Sequence, residues 1–154
     1  MRSIRVTTEV PYPRQEVFDF LDVMANHEPF TNHMLSDWHY SGPDRGIGSR
    51  ATVTASLGGR SEKVEIEVVS AERPETIVEQ NTGAGGRRIG TGTYTLADAA
   101  AGGTQITFEY ALKQAPLSER LAAPLVRSVL RRGNQRAMER LGEQLALRQQ
   151  TESV

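Results

Sequence analysis

The chain has 154 residues, 38% of them hydrophobic, a formal net charge of -1 and no cysteine. This length suits a single domain with a sizeable core, and the near-neutral charge argues against a nucleic-acid binder, which needs a strongly basic face. The absence of cysteine excludes disulfides, thiolate nucleophiles and zinc-thiolate sites.

The N-terminal region and the hydropathy pattern indicate where the protein resides. Residues 1–10 lack the apolar core of a signal peptide. No apolar run approaches the roughly 20 residues that a transmembrane helix needs. We therefore expect a cytoplasmic protein with no integral membrane segment.

The first predicted elements are a strand and a short helix. Apolar and polar residues alternate over 4–10, which predicts a half-buried strand, and Pro11 ends it. Residues 14–22 carry apolar side chains at spacings of three and four, which predicts a helix. Pro29 interrupts residues 26–32, so a broken helical turn is expected there.

Six further strands are predicted, each followed or preceded by a turn rich in glycine or proline. They cover approximately residues 36–40, 48–57, 62–70, 76–81, 87–96 and 104–112. Strands joined by short hairpins form an antiparallel sheet with one apolar face. Gly90 and Gly92 interrupt the fifth of these strands, where we expect a bend or a close backbone approach.

A long amphipathic helix closes the chain. Apolar residues recur at helical spacing after Pro116, while arginines between Arg127 and Arg140 hold another face, which we interpret as solvated. Pro124 lies inside this pattern and predicts a kink or a restart. Residues 149–154 are predicted to be a disordered tail, so that one domain covers residues 1–148.

This order of elements resembles the SRPBCC, or START-like, helix-grip superfamily, and in particular its bacterial polyketide cyclase/dehydrase-like members. The likeness also rests on a Val-Phe-x-x-Leu helix at Val17 and on the turn Gly102-Gly103 that leads into an alternating strand. The resemblance implies an α+β helix-grip fold. In it, a seven-stranded curved antiparallel sheet wraps around a long C-terminal helix, with two short helices after strand 1 and an apolar cavity in between.

The resemblance leaves three functions open. The first is binding of a small hydrophobic molecule (lipid, polyketide or isoprenoid-like) between the sheet and the last helix, by a monomer or homodimer without a cofactor. The second is a cofactor-independent polyketide cyclase/aromatase-type enzyme, in which a Tyr, His or Glu moves protons. The third is a protein-interaction module resembling the Hsp90-ATPase-activator branch, with a filled core and an exposed apolar patch. The superfamily has no shared catalytic signature, so no catalytic residue is assigned.

Inward-facing aromatic side chains are the main candidates for ligand contact, although ordinary core packing would give the same pattern. Leu125 and Val129 are expected to extend the cavity wall along the last helix. The predicted ligand-binding set is Phe30, His33, Trp38, Tyr40, Val53, Ala55, Glu79, Tyr94, Phe108, Tyr110, Leu125 and Val129.

The titratable candidates are three histidines and one glutamate. His27, His33 and His39 are spaced six apart, which puts no two on one helical face, and no carboxylate stands at a recognised ligand spacing, so we predict no metal site. A surface or loop position is the simpler interpretation of each histidine. An inward Glu79 would have a raised pKa and could act as an acid or base, but its strand phase is ambiguous and we favour a solvated carboxylate.

Overall fold

The computed structural model describes residues 2–152 and contains one seven-stranded antiparallel sheet and a long C-terminal helix. The strands are β1 (Ile4–Val10), β2 (Leu35–Ser41), β3 (Arg50–Leu57), β4 (Arg60–Glu72), β5 (Thr76–Gly83), β6 (Arg88–Asp98) and β7 (Thr104–Gln114). The helices are α1 (Arg14–Leu21), α2 (Glu28–Thr31), α3 (Leu117–Leu121) and α4 (Ala123–Glu152), and a 3-10 turn (Met24–His27) precedes α2. The predicted α+β helix-grip fold is confirmed.

Strands β2 to β7 form an antiparallel meander, and β1 extends the sheet at the β7 edge. The strand order is β1-β7-β6-β5-β4-β3-β2, so the first and last strands of the chain pair with each other. β2 to β7 follow one another through short turns, as the glycine and proline spacing predicts. The two short helices between β1 and β2 bring the chain from one edge of the sheet to the other.

The core lies between the concave face of the sheet and the C-terminal half of α4. Side chains at spacings of three and four along that half are buried, namely Ala137, Met138, Leu141 and Leu145. They pack with buried residues of α1, α2 and the inner face of the strands in one cluster. α4 lies mainly against β1 and α2.

The ends of α4 differ in part from the expected boundaries. The helical pattern breaks at Ala122, and α4 restarts at Ala123 with Pro124 in its first turn, where a missing N–H costs no helical hydrogen bond. At the other end α4 continues to Glu152, so the predicted disordered tail is wrong for residues 149–152. Residues 153 and 154 lie outside the described part of the chain.

The predicted inner stripe of the last helix has the wrong phase in its first turns. Leu125 is 68% exposed. At about 100° per residue it points roughly 160° away from the buried Leu141, so its predicted place in the cavity wall is wrong. Val126 and Leu130, both half-buried, lie within about 60° of Leu141 and face the sheet instead. Val129 is half-buried at the side of the helix.

The two glycines of β6 permit a close approach of aromatic rings to the backbone. Gly90 and Gly92 face inward, opposite Leu112 and Tyr110 of β7. A Cβ on Gly90 would overlap the Tyr110 hydroxyl oxygen and lie 2.5 Å from its Cζ. A Cβ on Gly92 would lie 3.0 Å from the Phe108 ring. Rings from β7 therefore lie across β6, which explains why this strand interior carries glycine.

A substitution at Gly90 tests this close approach. Gly90→Ala should lower the free energy of unfolding by about 1–3 kcal/mol, because the new methyl group overlaps the Tyr110 ring. In a Tyr110→Ala background the same change should cost far less. Urea unfolding of the four proteins of this double-mutant cycle measures the coupling. An equal cost in both backgrounds would show that the ring is not the cause.

Candidate functional site

The candidate site lies between the concave face of β2–β7 and residues 123–136 of α4, a region that we call the hollow. No described residue from Leu117 to Arg136 is fully buried, whereas the helix packs tightly from Ala137 onward. The inner face of the strands opposite carries small residues, namely Ala51, Ala55, Gly83, Gly90 and Gly92. Small residues on one wall and a helix without buried side chains on the other distinguish this region from the tightly packed core.

Glu79 lies on the inner wall of the hollow, on β5. It pairs with Val68 and Gly92, and its Cγ lies 3.3 Å from where a Cβ on Gly92 would be. The residue is 6% exposed, and its Oε2 has no hydrogen-bond partner. Burial raises the pKa of the Glu79 carboxyl from 4.5 to about 7. The solvated carboxylate that we favoured is therefore wrong, and the inward alternative is right.

Among the other buried polar atoms without a partner, two belong to inward residues, one on β5 and one on β2. Asn81 lies two residues beyond Glu79, and its Oδ1 accepts no hydrogen bond. The Asn81 side chain lies near the hydroxyl of Tyr110, whose pKa is raised chiefly by burial. On β2, Trp38 packs against the core while its indole Nε1 donates to nothing. Buried polar groups are normally paired, so these three atoms are unusual.

Aromatic residues close one end of the hollow. Tyr94 and Phe108 have ring centroids 4.7 Å apart, and Tyr94 meets the ring of His27 edge-on at 5.7 Å. His27 in turn contacts Phe30 at 5.2 Å. Phe30, Tyr94 and Phe108 are buried, as is Val53 of β3. These predicted site residues therefore form a packed floor and not an open surface.

His27 and His33 both serve the packing of helices. His27 is buried with its Nε2 2.7 Å from the Leu21 carbonyl oxygen, and burial lowers its pKa. In His33, Arg140 donates to Nδ1 at 3.1 Å, so Nε2 carries the hydrogen and donates to the Gly133 carbonyl at 2.8 Å. Both ring nitrogens of His33 are occupied by α4, which leaves none for a ligand.

His39 is exposed on β2. Within residues 2–152, no group of three His, Asp or Glu side chains is arranged to hold a metal ion. In the same range, no helix is both long enough and apolar enough to cross a bilayer.

Tyr40 marks the rim of the site. Its ring stacks on Trp38 with centroids 5.8 Å apart, and its hydroxyl donates to Glu28 at 2.7 Å. Tyr40 is 46% exposed. Trp38 thus lies on the inner side of the pair, and Tyr40 shields it from solvent.

Arg88 stands on the inner face of β6 at the open end of the hollow. Its guanidinium donates to both carboxylate oxygens of Glu119 on α3, at 2.7 and 2.5 Å, and also contacts Glu62 of β4. This cluster was not predicted from the sequence. The strand pattern did indicate it, since Arg88 shares the phase of Gly90, Gly92 and Tyr94 and is therefore an inward charge.

The sequence comparison decides the family. Residues 1–146 match the family described as polyketide cyclase / dehydrase and lipid transport. The chain belongs to this family. A comparison with curated proteins finds no match.

Solved structures share the fold at low identity. TTHA0849 from Thermus thermophilus has a TM-score of 0.74 at 15% identity, over 95% of this chain and 98% of that one. MLL2253 from Mesorhizobium loti has a TM-score of 0.69 at 17% identity, over 94% and 97%. DynU16, from the dynemicin biosynthetic locus, has a TM-score of 0.61 at 22% identity, over 94% of this chain but 47% of that one. These matches show a common architecture.

Glu79 makes the stability of the protein depend on pH. Its pKa rises from 4.5 to about 7 on folding, so between these values the folded state holds a proton that the unfolded state has lost. The free energy of unfolding should therefore fall as pH rises, by about 3 kcal/mol in total from this group. Glu79→Gln should remove that fall and be more stable than the wild type at pH 9.

Urea unfolding at pH 5 and pH 9 measures the effect, and Glu65→Gln is the control. Glu65 is exposed on the same sheet, so its variant should follow the wild type. The buried His27 is present in all three proteins, so its contribution to the pH dependence cancels when each variant is compared with the wild type. If the free energy of unfolding changes with pH in the same way in the wild type and in Glu79→Gln, the pKa of Glu79 does not rise on folding and its carboxylate is ionised in the folded protein.

Proposed function

We propose that the protein binds a small amphipathic molecule in the hollow. The observation that carries this proposal is the set of three buried, unpartnered polar atoms, Trp38 Nε1, Glu79 Oε2 and Asn81 Oδ1. Each costs free energy as long as it has neither water nor protein to bond with. A ligand that supplies the missing partners recovers that energy.

The chemistry of the three atoms defines the polar part of the ligand. The indole N–H can only donate, the Asn81 oxygen can only accept, and a protonated Glu79 can do both. Hydroxyl and carbonyl oxygens along an apolar skeleton fit this combination, as in polyketide or isoprenoid-like molecules. The family supports the same class, because its description names both polyketide chemistry and lipid transport.

The apolar part of the ligand would lie against Ala55, the Tyr110 ring and the half-buried Val126 and Leu130. Burial of apolar surface contributes roughly 25 cal/mol per Å². Most of the affinity would come from this contact, whereas the polar atoms would set the orientation. Leu125, on the outer face of α4, has no part in it.

Native mass spectrometry of the freshly purified protein tests the proposal. We expect a bound small molecule that disappears on denaturation, and its mass would restrict its identity directly. Tyr110→Phe should weaken binding of that molecule about fivefold to tenfold with the fold intact, because a buried hydroxyl that could orient the ligand beside Asn81 is lost.

Tyr12→Phe is the matched control. Tyr12 also packs against the core but lies after β1, away from β5, and its variant should bind like the wild type. An unchanged affinity of Tyr110→Phe would remove Tyr110 from the site. A protein that carries no molecule and takes up no apolar probe would contradict the proposal itself.

A cofactor-independent enzyme of the cyclase or aromatase type is the second candidate, and Glu79 favours it. A carboxyl whose pKa is about 7 is suited to general acid-base catalysis near neutral pH. Glu79 and Tyr110 both pair with Gly92, and Tyr94 lies two residues further along β6, so the three titratable groups are neighbours on the inner face. Convergence of titratable groups in the hollow distinguishes this candidate from a pure carrier.

Deuterium exchange can detect such proton transfer. With an aliphatic ketone such as 2-decanone in D₂O, an enzyme would accelerate incorporation of deuterium beside the carbonyl. Glu79→Gln should abolish the acceleration and still bind the ketone. If the ketone binds but exchanges no faster than in buffer, the enzyme candidate is wrong and only the carrier function remains.

A further inference from the structure

α3 is attached to the body of the protein by charge and not by apolar packing. None of its five residues is buried. Leu117 and Leu121 are 62% and 78% exposed, so their side chains contribute little to holding the helix in place. Glu119, between them, has a side chain only 22% exposed and turns toward the sheet.

The partner of Glu119 is Arg88, in a bidentate arrangement. Arg88 Nε and Nη2 each donate to one oxygen of Glu119, while Nη1 contacts Glu62. The Arg88 side chain is 20% exposed, compared with 69% for Arg5 in its ion pair with Glu109. A bidentate and partly buried pair is stronger than an exposed one. Arg88 is therefore the main anchor of α3.

The position of Arg88 connects this anchor with the hollow. A Cβ on Gly83 would lie 2.8 Å from Arg88 Nη1, so the guanidinium lies over the end of β5. Arg88 lies two residues from Gly90, over which the Tyr110 hydroxyl lies, so the guanidinium and this phenol share the inner face of β6. An inward guanidinium, a carboxylate bound to it and a short loosely packed helix thus meet at one opening.

We propose that α3 is a lid over the hollow, latched by Glu119 on Arg88, and that a ligand carboxylate replaces Glu119 on this arginine. The inference rests on the proposed function and narrows its ligands to amphipathic carboxylates. Glu119 occupies the carboxylate position in the absence of ligand. Glu62 keeps the guanidinium in place during the exchange.

The exchange is energetically plausible because one carboxylate takes the place of another. Arg88 keeps the same number and kind of hydrogen bonds, and the released Glu119 moves into water, where a carboxylate is well solvated. Since Leu117 and Leu121 of α3 are largely exposed, its displacement uncovers no apolar core. The apolar body of the ligand then provides the net gain in the hollow.

Fluorescence titration with two probes tests the latch. The carboxylate probe is cis-parinaric acid, and the neutral probe is N-phenyl-1-naphthylamine. Glu119→Gln should bind the carboxylate probe about tenfold more tightly, because its competitor is gone. Arg88→Gln should bind it at least about tenfold more weakly. The affinity for the neutral probe should change less than about twofold in both variants.

Glu109→Gln is the matched control. It removes the carboxylate of the exposed pair with Arg5 and should alter neither titration. Glu119→Gln keeps the test decisive if Arg88→Gln does not fold, because α3 contributes nothing to the core. If both probes bind and neither variant changes their affinity, the latch is wrong while the proposed function stands. Failure of the wild type to bind the neutral probe would instead contradict the proposed function.

Discussion

A single helix must cover the concave face of a seven-stranded sheet, and the position where that helix packs determines the rest of the structure. α4 is buried only from Ala137 onward. His33 and Arg140 fix it near this boundary, through the Gly133 carbonyl and the Pro29 carbonyl. The first half of α4 is thereby held above a sheet whose inward residues are small. The hollow is a consequence of tight packing at one end and of its absence at the other.

The same geometry explains how a carboxylic acid can be tolerated in the interior. Ionised, Glu79 would be an unpaired buried charge, which is strongly unfavourable. Protonated, it is a polar group with a missing partner, at a smaller cost. The raised pKa shows that the protein uses the second solution near neutral pH. A group that lowers stability and performs no packing function is typical of a site maintained for binding or chemistry.

The fold could be predicted from the sequence because alternation, turn residues and one long helix all indicated the same architecture. The site could be predicted only where a strand has a clear phase, as in β7 with Phe108 and Tyr110. β5 has apolar neighbours at 77 and 78, so its phase was set by pairing with Val68 and Gly92, which a single sequence does not reveal. Leu125 was misplaced because each spacing of four residues drifts by about 40° around a helix, so a stripe followed from Leu125 to Leu141 turns by about 160° within α4.

The hollow is polar at one end and aromatic at the other, and this asymmetry bears on how a ligand enters. The closed end consists of Tyr94, Phe108 and the His27 ring, packed at centroid distances of 4.7 to 5.7 Å. The open end carries Arg88 and its two carboxylate partners. An amphipathic molecule that enters with its apolar end first keeps its charged group hydrated until the last step, so that its desolvation coincides with pairing to Arg88. The order of the charges along the sheet thus favours one direction of entry.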